Sequence, residues 1–139
     1  MILTLTLNPS LDRTIEVGSL TRGAVIRAAA AHLDPGGKGV NVSRALLANQ
    51  VRSRAIIPFG GAEGQQLVAM LAEGIDMITV PVGGTTRSNV TLAEPDGTVT
   101  KINEPGRGPA QVREKGAVAR SALTKLLVSG YGGGVPGLR

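Results

Sequence analysis

Asp34-Pro35-Gly36-Gly37-Lys38-Gly39-Val40-Asn41-Val42-Ser43-Arg44-Ala45-Leu46 is the stretch that decides the fold. Three glycines in four residues run directly into an apolar, helix-compatible segment. Glycine lacks a Cβ, so the backbone can adopt positive φ and a ligand can come close to its amides. The helix that follows opens with unpaired N–H groups and a partial positive charge, which suits an anion or a row of hydroxyls. Lys38 brings a full positive charge to the same mouth, and Asn41 an amide one turn in. A plain loop-to-helix turn is the alternative reading; the added Lys and Asn favour a binding site.

Two common glycine motifs are excluded at this position. A P-loop requires G-x-x-x-x-G-K-[ST], and Lys38 is followed by Gly39. The dinucleotide pattern G-x-G-x-x-G requires glycine where Val42 stands. That pattern does occur at Gly132-Gly133-Gly134-Val135-Pro136-Gly137, but Pro136 interrupts it and no helix-forming segment follows in the sequence given.

The chain has 139 residues, the length of one ordinary domain. Its hydrophobic content of 42% is enough for a core, yet Phe59 and Tyr131 are the only aromatics. Val, Leu, Ile and Ala must therefore fill that core. The 20 glycines cluster in pairs and triplets, which marks turns rather than a fibrous repeat. Cysteine is absent, which excludes disulfides, thiolate metal sites and a thiol nucleophile. No apolar run reaches a membrane-spanning length, and the amino end lacks the basic region of a signal peptide. These features lead us to expect a cytoplasmic protein. The net charge of +5 is spread along the chain without aromatics to stack bases, so a basic surface or an anionic small substrate is expected, with no nucleic acid and no membrane as partner.

Outward from the glycine stretch, the apolar pattern reads as a parallel α/β body. Residues 1–7 alternate apolar and Thr residues and read as a central strand that Asn8-Pro9-Ser10 ends. Asp12 then falls just past a strand's carboxyl end, where ligands of open α/β sheets collect, so it is a candidate acceptor for substrate hydroxyls; a turn aspartate is the other reading. Residues 14–17 and 24–33 read as two weaker strands joined by the turn 18–23, although 28–31 also suits a helix. His32, the lone histidine, is given no role. Residues 39–50 read as a helix burying Val42, Ala45, Leu46 and Ala48. Then come a strand at 53–59, a turn at Gly60-Gly61 and a helix at 63–73 through Leu67, Met70 and Leu71. Gly74 stands at its C′ position, and a strand at 75–82 follows. Pro95-Asp96-Gly97 between 86–94 and 98–103 is a strong hairpin signal. Residues 109–126 read as a further helix and 127–129 as the start of a strand.

Taken together, the motifs Thr6-Leu7-Asn8-Pro9-Ser10-Leu11-Asp12, Asp34 to Ala45, Phe59-Gly60-Gly61, Thr86-Arg87-Ser88-Asn89-Val90 and Ile102-Asn103-Glu104-Pro105-Gly106 resemble the ribokinase-like (PfkB) carbohydrate kinases, in the 1-phosphofructokinase and tagatose-6-phosphate kinase branch. They occur in the family's order. The resemblance implies an α/β fold: a parallel sheet flanked by helices with a small β lid, truncated at the C-terminal side. The body is then 1–11, 35–84 and 105–129, the lid 12–34 and 85–104, and 130–139 an irregular tail. It also implies transfer of a phosphoryl group from ATP, with Mg2+, to a sugar phosphate, fructose 1-phosphate above all. By position, Asp12 resembles the family's sugar-hydroxyl acceptor, and Gly36, Gly37, Lys38 and Asn41 its substrate signature. Arg87 resembles its ligand for the phosphate already on the sugar, with Arg27 assisting. The family's catalytic base and anion hole match nothing in this sequence. The chain is therefore expected to be a kinase fragment without activity of its own; a non-catalytic sugar-phosphate-binding module is the alternative. A homodimer through the lid is also implied.

Overall fold

The computed structural model of the protein describes residues 2–104 together with 116, 117 and 120. The expected helix at 109–126, strand at 127–129 and tail at 130–139 lie outside the described residues, apart from Gly116, Ala117 and Arg120, which are helical.

Among residues 2–104, seven strands form two sheets and two helices connect them. In chain order they are β1 (Ile2–Leu5), β2 (Ser10–Glu16), β3 (Ala30–Gly36), α1 (Lys38–Ala48), β4 (Ser53–Phe59), α2 (Gly61–Leu71), β5 (Asp76–Pro81), β6 (Arg87–Ala93) and β7 (Val99–Asn103). The first sheet runs β1-β4-β5, all parallel. Parallel neighbours need long crossovers, and α1 and α2 supply them. The described part is thus the parallel α/β body expected from the sequence. Its core is Val40 of α1, Ala55 and Ile57 of β4, and Leu67 and Leu71 of α2. The other face of β4 buries Ile56 beside Val80 of β5. A strand buried on both faces explains why 55–58 reads as a continuous apolar run rather than an alternation.

The second sheet runs β3-β2-β6-β7. β2–β3 and β6–β7 are antiparallel pairs, and β2–β6 joins them in parallel. Register places Ser10, Asp12, Asp34, Gly36, Arg87, Asn89 and Asn103 on one face, and Leu11, Ile15, Leu33, Val90, Leu92 and Ile102 on the other.

Several expectations need correcting. Among the described residues β1 is an edge strand, not a central one. β2 starts at Ser10 rather than Thr14, so Asp12 lies within a strand and not in a turn after one. Pairing on both sides overrides the weak strand preference of Ser and Asp there. β3 starts later than expected, at Ala30, and runs on to Gly36, which excludes the helical reading of 28–31. The buried face of α1 is Val40 and Ser43, while Val42, Ala45 and Ala48 are exposed and Leu46 is half-buried. A polar contact sets this rotation: the hydroxyls of Ser43 and Thr4 meet at 2.6 Å inside the core. On α2 the expected Leu67 and Leu71 are buried and Met70 half-buried. Its C-cap is Ala72, so Glu73 and not Gly74 holds the C′ position.

The β6–β7 hairpin follows its turn signal. Gly97 takes φ 90° and donates to the Glu94 carbonyl at 3.0 Å, and Glu94 donates back to the Thr98 carbonyl at 2.9 Å. The Asp96 carboxylate accepts from the Thr98 N–H at 2.8 Å. That backbone bond, with a second from the Thr98 hydroxyl, holds the Asp96 pKa below the ordinary carboxylate value. A folded pKa below the unfolded one gives stability that is complete above the unfolded value, about 3.9, and lost as pH falls through the folded value. We therefore expect an NMR titration of the full chain to place Asp96 below the ordinary range, and Asp96→Asn to lose this acid-side dependence. An Asp96 that titrates at or above the ordinary value would rule out the turn bond as a source of stability.

Candidate functional site

The two helices begin by the same device. β3 passes through Gly36 and Gly37 into α1, and β4 passes through Gly60 and Gly61 into α2. Neither helix has a side-chain cap. Gly37 takes φ 122° and Gly61 φ 67°, both in the range that favours glycine. At the first junction, a Cβ on Gly37 would lie 2.6 Å from Thr6 Cγ2, and one on Gly39 2.5 Å from Thr6 Oγ1. The amino end of α1 is thereby seated on the segment after β1. Thr6 Oγ1 is buried there without a partner. Lys38 is the first residue of α1 and is exposed, as is Asn41, whose backbone N–H donates to the Gly37 carbonyl at 2.9 Å. The uncapped N–H groups and Lys38 make this a positive end.

At the second junction Gly60 and Thr86 bond in both directions. Thr86 N–H donates to the Gly60 carbonyl at 2.8 Å, and Gly60 N–H donates to the Thr86 hydroxyl at 3.2 Å. This fixes the residue immediately before Arg87.

Between the junctions lies a chain of polar side chains. Ser10 Oγ donates to Asp12 Oδ1 at 2.8 Å, and Asn89 Nδ2 donates to the same oxygen at 2.9 Å. Arg87 Nη1 donates to Asn89 Oδ1 at 3.3 Å, and Arg87 Nη2 donates to the Asn8 carbonyl at 3.5 Å. Both arginine bonds are long, so the guanidinium is held loosely. Its Nε is buried with no partner. Oδ1 of Asp12 already accepts two bonds, and Oδ2 faces Gly36. A Cβ on Gly36 would collide with Asp12 Oδ2 and lie 2.5 Å from Ser10 Oγ.

The structure thus brings Asp12, Gly36 and Arg87 into one cluster at the approach to α1, with Gly37, Lys38 and Asn41 continuing from it along the chain. Arg27 stands apart. It is exposed in the loop between β2 and β3, and among the described residues no hydrogen bond joins it to the cluster. Sequence reasoning passed over Ser10 and Asn89 as site residues, and treated Gly60-Gly61 only as a turn. The available signal was the period of two: Ser10-x-Asp12 and Arg87-x-Asn89 each put a second polar group on the same face. A cavity of about 810 Å³ lined by Ile2, Ser53, Arg54 and Asp76 lies elsewhere, at the amino ends of β1, β4 and β5. Ligands of open α/β sheets gather at the carboxyl ends, where the Asp12 cluster lies.

The chain is similar in sequence and fold to known proteins. The 1-phosphofructokinase of Rhodobacter capsulatus is 40% identical over 134 residues, which cover 93% of this chain and 41% of that protein. The ATP-dependent 6-phosphofructokinase isozyme 2 of Escherichia coli is 40% identical over 90 residues, 64% of this chain and 29% of that protein. Phosphofructokinase-2 from Escherichia coli, solved in complex with fructose-6-phosphate, superposes with a TM-score of 0.73 at 33% identity, over 82% of this chain and 39% of that one. It has also been solved in a tetrameric inhibited form. The chain is similar to the amino-terminal part of PfkB-type phosphofructokinases. It spans 41% of the length of the Rhodobacter relative. No protein-family model matches it.

The close approach of Gly36 to Asp12 is a tight requirement of the cluster. Asp12 is tied by two hydrogen bonds and cannot swing aside freely. Gly36→Ala should therefore destabilise the chain by about 1–3 kcal/mol, as overpacking does, and displace Asp12. Gly18→Ala is the control: nothing lies within 4 Å of the position its Cβ would take, and its effect should stay within about 0.5 kcal/mol. Denaturant unfolding of the two variants checks this; equal stabilities would show that the β2–β3 crossing is looser than described.

Proposed function

We propose that this chain forms the sugar-phosphate side of an ATP-dependent kinase that converts fructose 1-phosphate to fructose 1,6-bisphosphate in the cytoplasm. The observation that carries the reading is the cluster in which Asp12 keeps Oδ2 free beside Gly36 while Arg87 keeps guanidinium N–H groups free two residues away along the sheet. A carboxylate oxygen accepts from sugar hydroxyls, and a guanidinium forks onto phosphate oxygens. Gly37, Lys38 and Asn41, at the positive end of α1, add donors for the hydroxyls. Arg27 reaches the phosphate only if its loop closes toward Arg87. The relatives named 1-phosphofructokinase favour fructose 1-phosphate as the sugar.

Phosphoryl transfer rests on positioning the acceptor and on stabilising charge at the transferred group. The residues named here perform the first task. ATP supplies the phosphoryl group and Mg2+ neutralises its charge in the proposed reaction. Among the described residues no cluster of three or more His, Cys, Asp or Glu side chains could hold a metal ion. The residues named here include no catalytic base, and the 139-residue chain is proposed to bind without turnover. Among the described residues no helix is long and apolar enough to cross a membrane.

The same reading makes the sheet β3-β2-β6-β7 a lid, and a homodimer the assembly formed through it. Its apolar face supports this. Ile15, Leu92 and Ile102 share that face by register, and Ile102 is 59% exposed on the β7 edge strand. An exposed apolar edge is a surface that chains pair or cover.

Isothermal titration with fructose 1-phosphate tests the site. The wild-type chain should bind, and Arg87→Ala should weaken binding by about 1.5–3 kcal/mol, the worth of a hydrogen bond to a charged group. No heat at millimolar ligand overturns the reading, and tighter binding of unphosphorylated fructose removes Arg87 from its role. Light scattering tests the assembly. The chain should run as a dimer and Ile102→Lys as a monomer; a monomeric wild type sinks the lid dimer.

A further inference from the structure

We infer that Asn89 is a positioning residue that keeps Asp12 and Arg87 from pairing with each other, so that both stay open to ligand. The inference rests on the sugar-phosphate reading of this site.

Register sets the problem. Arg87 lies opposite Ser10 and Asn89 opposite Asp12, so Arg87 and Asp12 are diagonal neighbours on adjacent strands and on one face. Diagonal positions are within reach of long side chains. An arginine and a carboxylate so placed would ordinarily join in a two-pronged, charge-assisted pair. Among the described residues no ion pair joins them. The Asn89 amide stands between them, with Nδ2 on Asp12 Oδ1 and Oδ1 on Arg87 Nη1.

The two neighbours fix the amide's orientation. A flip would turn its N–H groups on the guanidinium and its oxygen on the carboxylate, both repulsive. Asparagine is thus suited to the gap: one end donates, the other accepts, and it carries no charge of its own. Aspartate would capture the arginine and repel Asp12. Alanine would leave the gap empty and let the guanidinium swing onto the carboxylate. The cost of holding the charges apart is visible in Arg87 Nε, which is buried without a partner. A direct pair would satisfy it and would occupy Asp12 Oδ2, the oxygen proposed for sugar hydroxyls. Resting stability and ligand affinity are therefore opposed at this residue.

The test compares the full chain with Asn89→Ala and Asn89→Thr, the latter β-branched and suited to a strand. Three quantities are read: the melting temperature, the fructose 1-phosphate affinity by calorimetry, and the Arg87 Nε–H signal in 15N spectra. Both variants should keep or raise the melting temperature and lose about tenfold in affinity, the worth of one charge-assisted bond. The Nε–H signal should shift as it gains the carboxylate, and Asp12→Asn in the variant background should abolish that shift. Melting temperature and affinity falling together with no change at Nε–H would make Asn89 merely structural and overturn the inference, as would wild-type affinity in both variants or failure of both to fold. If the wild-type chain does not bind fructose 1-phosphate, the sugar-phosphate reading fails. The Nε–H comparison then still decides separately whether Asn89 holds the two charges apart.

Discussion

The parallel pairing of β2 with β6 is the constraint on which the rest depends. It runs over seven residue pairs, from Ser10↔Arg87 to Glu16↔Ala93. Each partner brings its own antiparallel neighbour, β3 and β7, so this one seam builds the whole four-stranded sheet. Between the paired strands in sequence lie β3, α1, β4, α2 and β5. A parallel pair has to be reached through such a crossover, and the chain uses the crossover to build its other sheet. A shift of one residue in the seam would turn Asp12 or Asn89 to the opposite face and dissolve the polar cluster. The two Gly60–Thr86 hydrogen bonds anchor the seam at the residue just before β6.

Glycine then serves proximity more than flexibility. Gly36 lets β3 pass beside Asp12 and Ser10, and Gly39 lets α1 sit on Leu5 and Thr6. Gly64 does the same for α2 against Thr86, at 2.7 Å from its Oγ1 to the position a Cβ would take. Both helices are drawn close to a threonine hydroxyl in this way. Only one hydroxyl is satisfied: Thr86 accepts from Gly60, whereas Thr6 has no partner. Leaving a buried hydroxyl unpaired is costly, so the tight seat of α1 on Thr6 is maintained against a penalty.

What the sequence made legible follows the range of the interactions involved. The turn at Pro95-Asp96-Gly97 is closed by bonds among residues 94–98, so its signal is local and sufficient. The α2 face through Leu67 and Leu71 is an ordinary apolar stripe and was readable as one. The α1 face was not, because Ser43 occupies a core position through its bond to Thr4, 39 residues away, and a hydropathy pattern counts it as surface. The same holds for β2. Ser10 and Asp12 look like turn residues until β3 and β6 flank them. In the cluster, Asp12 drew notice from its place after the first strand, Lys38 from the glycine motif, and Arg87 through the family resemblance. Asn89 and Ser10 are neutral, and they become visible only when the register is known.

The polar cluster is built almost wholly on regular elements. Ser10 and Asp12 sit in β2, Gly36 ends β3, Lys38 and Asn41 open α1, and Arg87 and Asn89 start β6. The Asn8 carbonyl and Gly37 come from connecting segments. Side chains on strands and helices hold their geometry better than side chains on loops. Here the strand period does further work, since alternate residues of β2 and β6 present donors and acceptors in fixed order across a single face. Aligning an acceptor hydroxyl ahead of reaction can supply a large part of a bimolecular barrier, about 7–11 kcal/mol in well-oriented systems. A sheet whose register cannot slip without burying charge is a suitable frame for that task. The same register that makes the fold unique therefore also fixes the order of polar groups across that face.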